Sequence, residues 1–121
     1  MTAGDCFYGV LPGSGKIPHY WLVLCAPCPA GFVAVVNFTT PNGSPQAHVV
    51  KQGFFPTLDY DSEVAWSYAA VWPVDAIKKA VAAGLFSQEI GLNAGDLDTV
   101  LKGGSDRGLI SREVLKKISG K

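Results

Sequence analysis

The apolar positions of this chain change rhythm near residue 73. Before it, short runs of β-branched and aromatic residues are separated by Gly and Pro; after it, apolar residues recur at intervals of three and four. The first half therefore reads as strands. Asp5–Leu11 is the first, followed by a flexible loop, Pro12-Gly13-Ser14-Gly15-Lys16. Tyr20–Cys25 is apolar or aromatic throughout, as expected of a strand buried on both faces. Ala26–Gly31 contains two prolines, which exclude a helix, and Phe32–Thr39 is the next strand, so the two strands pair as a hairpin. Thr40–Pro45 is a second loop, with Asn42-Gly43 suited to a turn. Ala47–Lys51 reads as a short strand, and Gly53–Tyr60 as irregular chain over packed Phe54, Phe55 and Leu58. Ser62–Val71 is a strand with Val64, Trp66 and Tyr68 on one face.

The second half reads as helices. Pro73 suits a first turn and Asp75 its positive end, Ile77, Ala80, Val81 and Leu85 share a face, and Gly84 is a stop. Asn93 can cap a helix over Ala94–Lys102 that Gly103-Gly104 would close. Ser111 can cap a last helix, Arg112–Ser119, with Val114, Leu115 and Ile118 inward. The pattern predicts an α+β protein, a small curved antiparallel β-sheet or barrel followed by a C-terminal helical segment. Its 121 residues suit a single domain over 1–121, with a β-rich half at 1–72 and a helical half at 73–121.

Composition narrows the setting. With 48% hydrophobic residues the chain can build a core without a disulfide or metal. The net charge is zero, which argues against a broad polyanion-binding surface. Residues 1–72 carry −2 and residues 73–121 carry +2, an asymmetry typical of solvated surface. No apolar run approaches the roughly 18 residues of a membrane span. The opening Met-Thr-Ala-Gly-Asp has no basic region before an apolar stretch, so an export signal is not expected, and three reduced cysteines in a cytoplasm are.

Cys25 and Cys28 have the spacing of a zinc or redox pair. There is no second such pair, His19 and His48 are too far apart for a paired-histidine motif, and a turn follows instead of a helix. They read as two cysteines at a hairpin turn, with no metal and no cofactor expected. No phosphate loop, nucleophile elbow or dinucleotide fingerprint is present, and Gly13-Ser14-Gly15 precedes no helix. His19 stands at the mouth of a buried strand, where an imidazole can act as general acid or base or bond a phosphate. Asn37, Thr39 and Thr40 close the next strand, where hydroxyls can hold a phosphate or satisfy turn backbone. His48 lies three residues before Lys51, on the opposite face of a regular strand, and reads chiefly as structural. The candidate catalytic set is His19, Thr39, Thr40 and His48, with Tyr20, Trp21, Lys51 and Tyr60 as the surrounding binding residues.

One resemblance rests on the order of these features. Gly4-Asp5-Cys6-Phe7-Tyr8 opens the chain, His19 leads the apolar strand Tyr20–Cys25, and Val33–Thr40 ends in two threonines. Over these first 40 residues the chain resembles the MazF/PemK-like toxins, which open with a Gly-Asp strand, continue with an arginine-led apolar strand, and then a strand ending in Thr or Ser. The resemblance implies an SH3-like barrel and metal-independent RNA cleavage, with His19 in the place of the arginine and Thr39 or Thr40 in that of the hydroxyl. Both arginines, Arg107 and Arg112, fall outside this part.

Three readings follow. One is a toxin-like endoribonuclease acting on RNA. Another is a non-catalytic module whose aromatics (Tyr8, Tyr20, Trp21, Trp66, Tyr68, Trp72) grip a cognate protein or single-stranded nucleic acid. The third is a phage or operon accessory protein that forms a homodimer through the helical half.

Overall fold

The computed structural model describes residues 1–10, 17–41, 43–45, 47–56 and 58–120. The loop expected at 12–16, Leu11 of the first strand and Asn42 of the second loop lie outside these residues. Along the chain run β1 (Cys6–Gly9), β2 (His19–Val23), β3 (Phe32–Thr39), β4 (Val49–Val50), β5 (Ser62–Pro73), α1 (Val74–Ala82), β6 (Phe86–Glu89), α2 (Ala94–Asp106) and α3 (Arg112–Ile118). The six strands form one curled antiparallel sheet in the order β4-β5-β3-β2-β1-β6. The α+β expectation holds, with α2 and α3 following the sheet. Among the described residues no helix is long and apolar enough to cross a membrane.

Why β3 lies near the centre is visible in its sequence. Every residue from Val33 to Phe38 is buried, so both its faces need cover. Alternation then divides the core. Leu22, Ala34, Val36, Phe38, Val64 and Trp66 face one way, against Leu97 and Val100 of α2, Val114 of α3, and Phe55 and Leu58 of the irregular segment. Phe7, Trp21, Val23, Val33, Val35 and Phe86 face the other way, against Val74, Ile77 and Ala80 of α1.

Leu115, read as inward, is exposed, and Pro73 ends β5 as the cap of α1 and is not in its first turn. Three further features differ from the sequence reading. Phe86–Glu89 is a sixth strand inside the half read as helical. Its exposed Ser87 and Gln88 hide the strand rhythm, and it forms because β1 offers it an open edge. Next, α2 does not stop at Gly103-Gly104 but runs on to Asp106. A Cβ on Gly103 would collide with His48, and one on Gly104 would lie 2.5 Å from Trp66, so these glycines bring the helix close to the sheet. Finally, β5 bulges. Val35 pairs with Ala70 and Asn37 with Ala65, so residues 66–69 stand against Val36 alone. Trp66 stays in the core on the face of Val64, while Tyr68 emerges, 66% exposed.

Candidate functional site

The hairpin of β2 and β3 pairs Tyr20 with Phe38 and Trp21 with Asn37. One step further, His19 stands level with Thr39, on the same face as Trp21 and Asn37. Thr39 in turn pairs with Glu63 on β5, and His19 with Gly9 on β1. Four strands thus present Gly9, His19, Thr39 and Glu63 in one row at the sheet's rim.

His19 is half-buried. Its Nδ1 lies 3.2 Å from the Phe38 carbonyl, and its ring meets Trp21 edge-on at 6.5 Å. A carbonyl can only accept, so Nδ1 carries the proton and Nε2 is left as the basic nitrogen. Trp21 is core: it is 3% exposed, and its indole N–H donates to the Gly9 carbonyl at 3.2 Å. Below the row Asn37 is buried, and its Oδ1 has no hydrogen-bond partner. An orphaned buried acceptor costs about 1–3 kcal/mol, so this amide marks the β3 end of the rim as unusual. Thr39 is half-buried and Thr40 exposed. Among the described residues, no hydrogen bond joins His19 to either threonine.

His48 is not part of this group. It lies on the opposite face of the sheet, 5% exposed, and its Nδ1 accepts from the Trp66 indole at 2.9 Å. Its far edge is packed against Gly103 of α2. Burial and, after it, the Arg107 guanidinium hold the imidazole below its ordinary pKa. The ring is therefore a neutral, structural acceptor.

The four binding candidates scatter. Tyr20 faces away from His19, against Phe55 at 5.3 Å and Tyr8 at 4.7 Å. Trp21 fills the core. Lys51 is exposed and 3.4 Å from Asp61, whose carboxylate is held below its usual pKa first by the Gln52 N–H and then by Lys51. Tyr60 is exposed beside them. Of the aromatics proposed as a gripping surface, Trp66 and Trp21 are buried, whereas Tyr8 and Tyr68 are exposed.

Cys25 is buried, and its sulfur accepts from the Ala34 N–H at 3.5 Å. Cys28 is half-buried, with Lys117 Nζ 3.6 Å from its sulfur. Bonds from the Phe32 backbone, then from Ala30, and the Lys117 charge hold its thiol below the usual range despite some desolvation. Among the described residues no three His, Cys, Asp or Glu side chains converge as metal ligands. A groove of about 210 Å³ between α1 and β1, lined by Phe7, Ile77, Lys78, Val81 and Gln88 with Met1 and Asp5, includes none of the candidates.

Sequence reasoning missed two members of these constellations. Glu63 reaches the row only through the β3–β5 register, and Trp66 meets His48 only through the β4–β5 pairing. Strand alternation alone could have put Glu63 opposite Val64, but it could not have named the neighbour. In comparisons with known proteins, no family model, no curated protein and no solved structure matches this chain.

Proposed function

We propose that the chain is a small endoribonuclease of the toxin type, using the β2–β3 rim as its site and His19 as its proton-transfer residue. The observation that carries this reading is the Nδ1 contact of His19 with the Phe38 carbonyl, which leaves a basic Nε2 at a partly exposed rim beside Thr39. A general base needs a fixed ring with one free lone pair, and this contact supplies both. In the proposed reaction Nε2 takes the proton of a ribose 2′-hydroxyl. The 2′-oxygen bonds to the adjacent phosphorus, the bond to the 5′-oxygen breaks, and that oxygen takes the proton back from the imidazolium. The products are a 2′,3′-cyclic phosphate and a 5′-hydroxyl. Thr39 and Thr40 would donate to the non-bridging oxygens, where charge builds in the phosphorane. No step requires a metal.

The test is purified chain with RNA in excess EDTA, with end-group analysis of the fragments. Cleavage leaving cyclic phosphate ends, and at least a hundredfold slower in His19→Ala, supports the reading. Absence of cleavage at equimolar protein, or an unchanged rate in His19→Ala, rejects it. One observation favours a second reading, a binding module: Tyr68, and Tyr8 beside Tyr20, expose aromatic surface to solvent. RNA retained but never cut, with retention lost in Tyr8→Ala or Tyr68→Ala, would select that one.

A further inference from the structure

The His48 contacts form a device that the rim chemistry does not use. Its Nδ1 accepts the Trp66 N–H, so it must be unprotonated for that bond to exist. The ring and the indole lie nearly parallel, 13° apart, and the two glycines of α2 sit directly on them. Gly103 abuts the imidazole and Gly104 the indole. Protonating Nδ1 would set one N–H against another in a site closed to water. It would also put a positive charge beside Arg107, whose Nη1 is fixed 3.0 Å from the Gly103 carbonyl at the end of the same helix. From β5 the ring faces Val64 and Trp66, and Glu63 lies on the opposite face of that strand. Lys51 and Asp61, beyond β4, are paired to each other at the exposed surface.

From this arrangement we infer that His48 and Trp66 are an acid-released latch: proton uptake at His48 undocks α2 from the sheet and, with it, α3, which packs on β3 and β5. The rest of the helical layer is held by a short set of apolar contacts, with Leu101, Leu109, Ile110 and Ile118 packed partly buried on the same core, and by Lys117 against Cys28 and Phe32. Leu97, Val100 and Gly104 are the buried residues of α2, and Val114 is the buried residue of α3. Undocking gives the imidazole to water and parts it from Arg107, so the open state binds the proton more tightly than the closed one. The ratio of open to closed therefore rises by up to tenfold for each pH unit below the ordinary imidazole value of about 6.5, levelling off below the closed-state value. Release would uncover the apolar face around Trp66 while leaving the β2–β3 rim, on the other face, in place.

Amide hydrogen exchange of the full chain at several pH values between 7.5 and 5, corrected for intrinsic exchange, reads this directly. The expected result is loss of protection in α2 and α3 as pH falls, with β2 and β3 still protected. In His48→Asn the amide oxygen still accepts from the indole and does not titrate, so the helical profile becomes flat. Trp66→Phe removes the opposing N–H, lets Nδ1 protonate in place and shrinks the acid response. It provides the reading if His48→Asn does not fold. Helical protection independent of pH, protection lost from strands and helices together, or a variant profile identical to the parent's would overturn the latch.

Discussion

The chain's two histidines lie on opposite faces of one sheet, and each is held through Nδ1, yet the proton sits differently on each. At His19 the partner is a carbonyl, so Nδ1 carries hydrogen and Nε2 keeps its lone pair at a half-open rim. At His48 the partner is an indole N–H, so Nδ1 keeps the lone pair, and the rest of the ring is sealed under α2. The same side chain thus keeps a free ring nitrogen at a half-open rim in one place and is committed to packing in the other. The difference comes from the neighbouring group and the depth of burial, not from the residue itself.

This contrast can be broken by substitution. The largest effect is expected from Trp66→Ala, which removes the indole and leaves a cavity beside His48, at a cost of about 3–5 kcal/mol. Urea unfolding measures it, and a cost below 1 kcal/mol would mean that the His48 side carries no special packing. Gly103→Ala comes next. In an exposed helix this change gains about 1 kcal/mol, but here the new methyl meets the imidazole, and a loss of about 1–3 kcal/mol is expected in the same experiment. A gain would show α2 to be loosely seated. Asn37→Val should act in the opposite direction. It replaces an unpartnered acceptor with a strand-favouring apolar residue, and the midpoint should rise by the equivalent of about 1 kcal/mol. The same variant should lose RNA cleavage if that amide serves the rim, and keep it otherwise. His19→Ala should change stability least, by about 0.5 kcal/mol or less, because its half-buried ring makes one weak backbone bond. A cost as large as that of Trp66→Ala would make both histidines structural and end the comparison.

Electrostatics sharpen the same contrast. Because the folded-state pKa of His48 is depressed, its contribution to stability is complete above about pH 6.5 and is lost as pH falls from there through the folded-state value, at up to about 1.4 kcal/mol per unit. Thermal melts of His48→Asn should lack that slope. If the rim binds RNA as proposed, the Glu63 carboxylate in the row that holds Thr39 opposes it, and Glu63→Gln should tighten binding by roughly two- to fivefold at low salt, less at high salt. Titrations at two ionic strengths check it.

What the sequence made legible follows from how local each signal is. The continuous apolar runs Tyr20–Cys25 and Phe32–Thr39, separated by a proline-rich turn, can hardly do other than pair. The hairpin alone brings His19 level with Thr39, so that half of the candidate site was readable. Asn93 and Ser111 cap α2 and α3 as their residue types suggest, each side chain accepting from the backbone three residues on. Gly103-Gly104 misled because glycine ordinarily ends a helix, whereas these two answer to bulky rings about 40 and 55 residues away in the chain. Phe86–Glu89 is half polar and short, and becomes a strand only by borrowing the edge of β1. The Trp66–His48 bond, which removes His48 from the catalytic candidates' side of the sheet, spans 18 residues and depends on the β4–β5 pairing, and no local pattern encodes it.

The bulge in β5 also gives the chain slack. With residues 66–69 facing Val36 alone, the ladder on either side is already out of step and does not depend on the number of residues between. Lengthening or shortening the exposed Ser67–Tyr68 tip would be absorbed there, leaving the pairing of Asn37 with Ala65 and of Val35 with Ala70 as it is. A lineage could vary its length at that point, or graft a peptide into it, without disturbing either histidine.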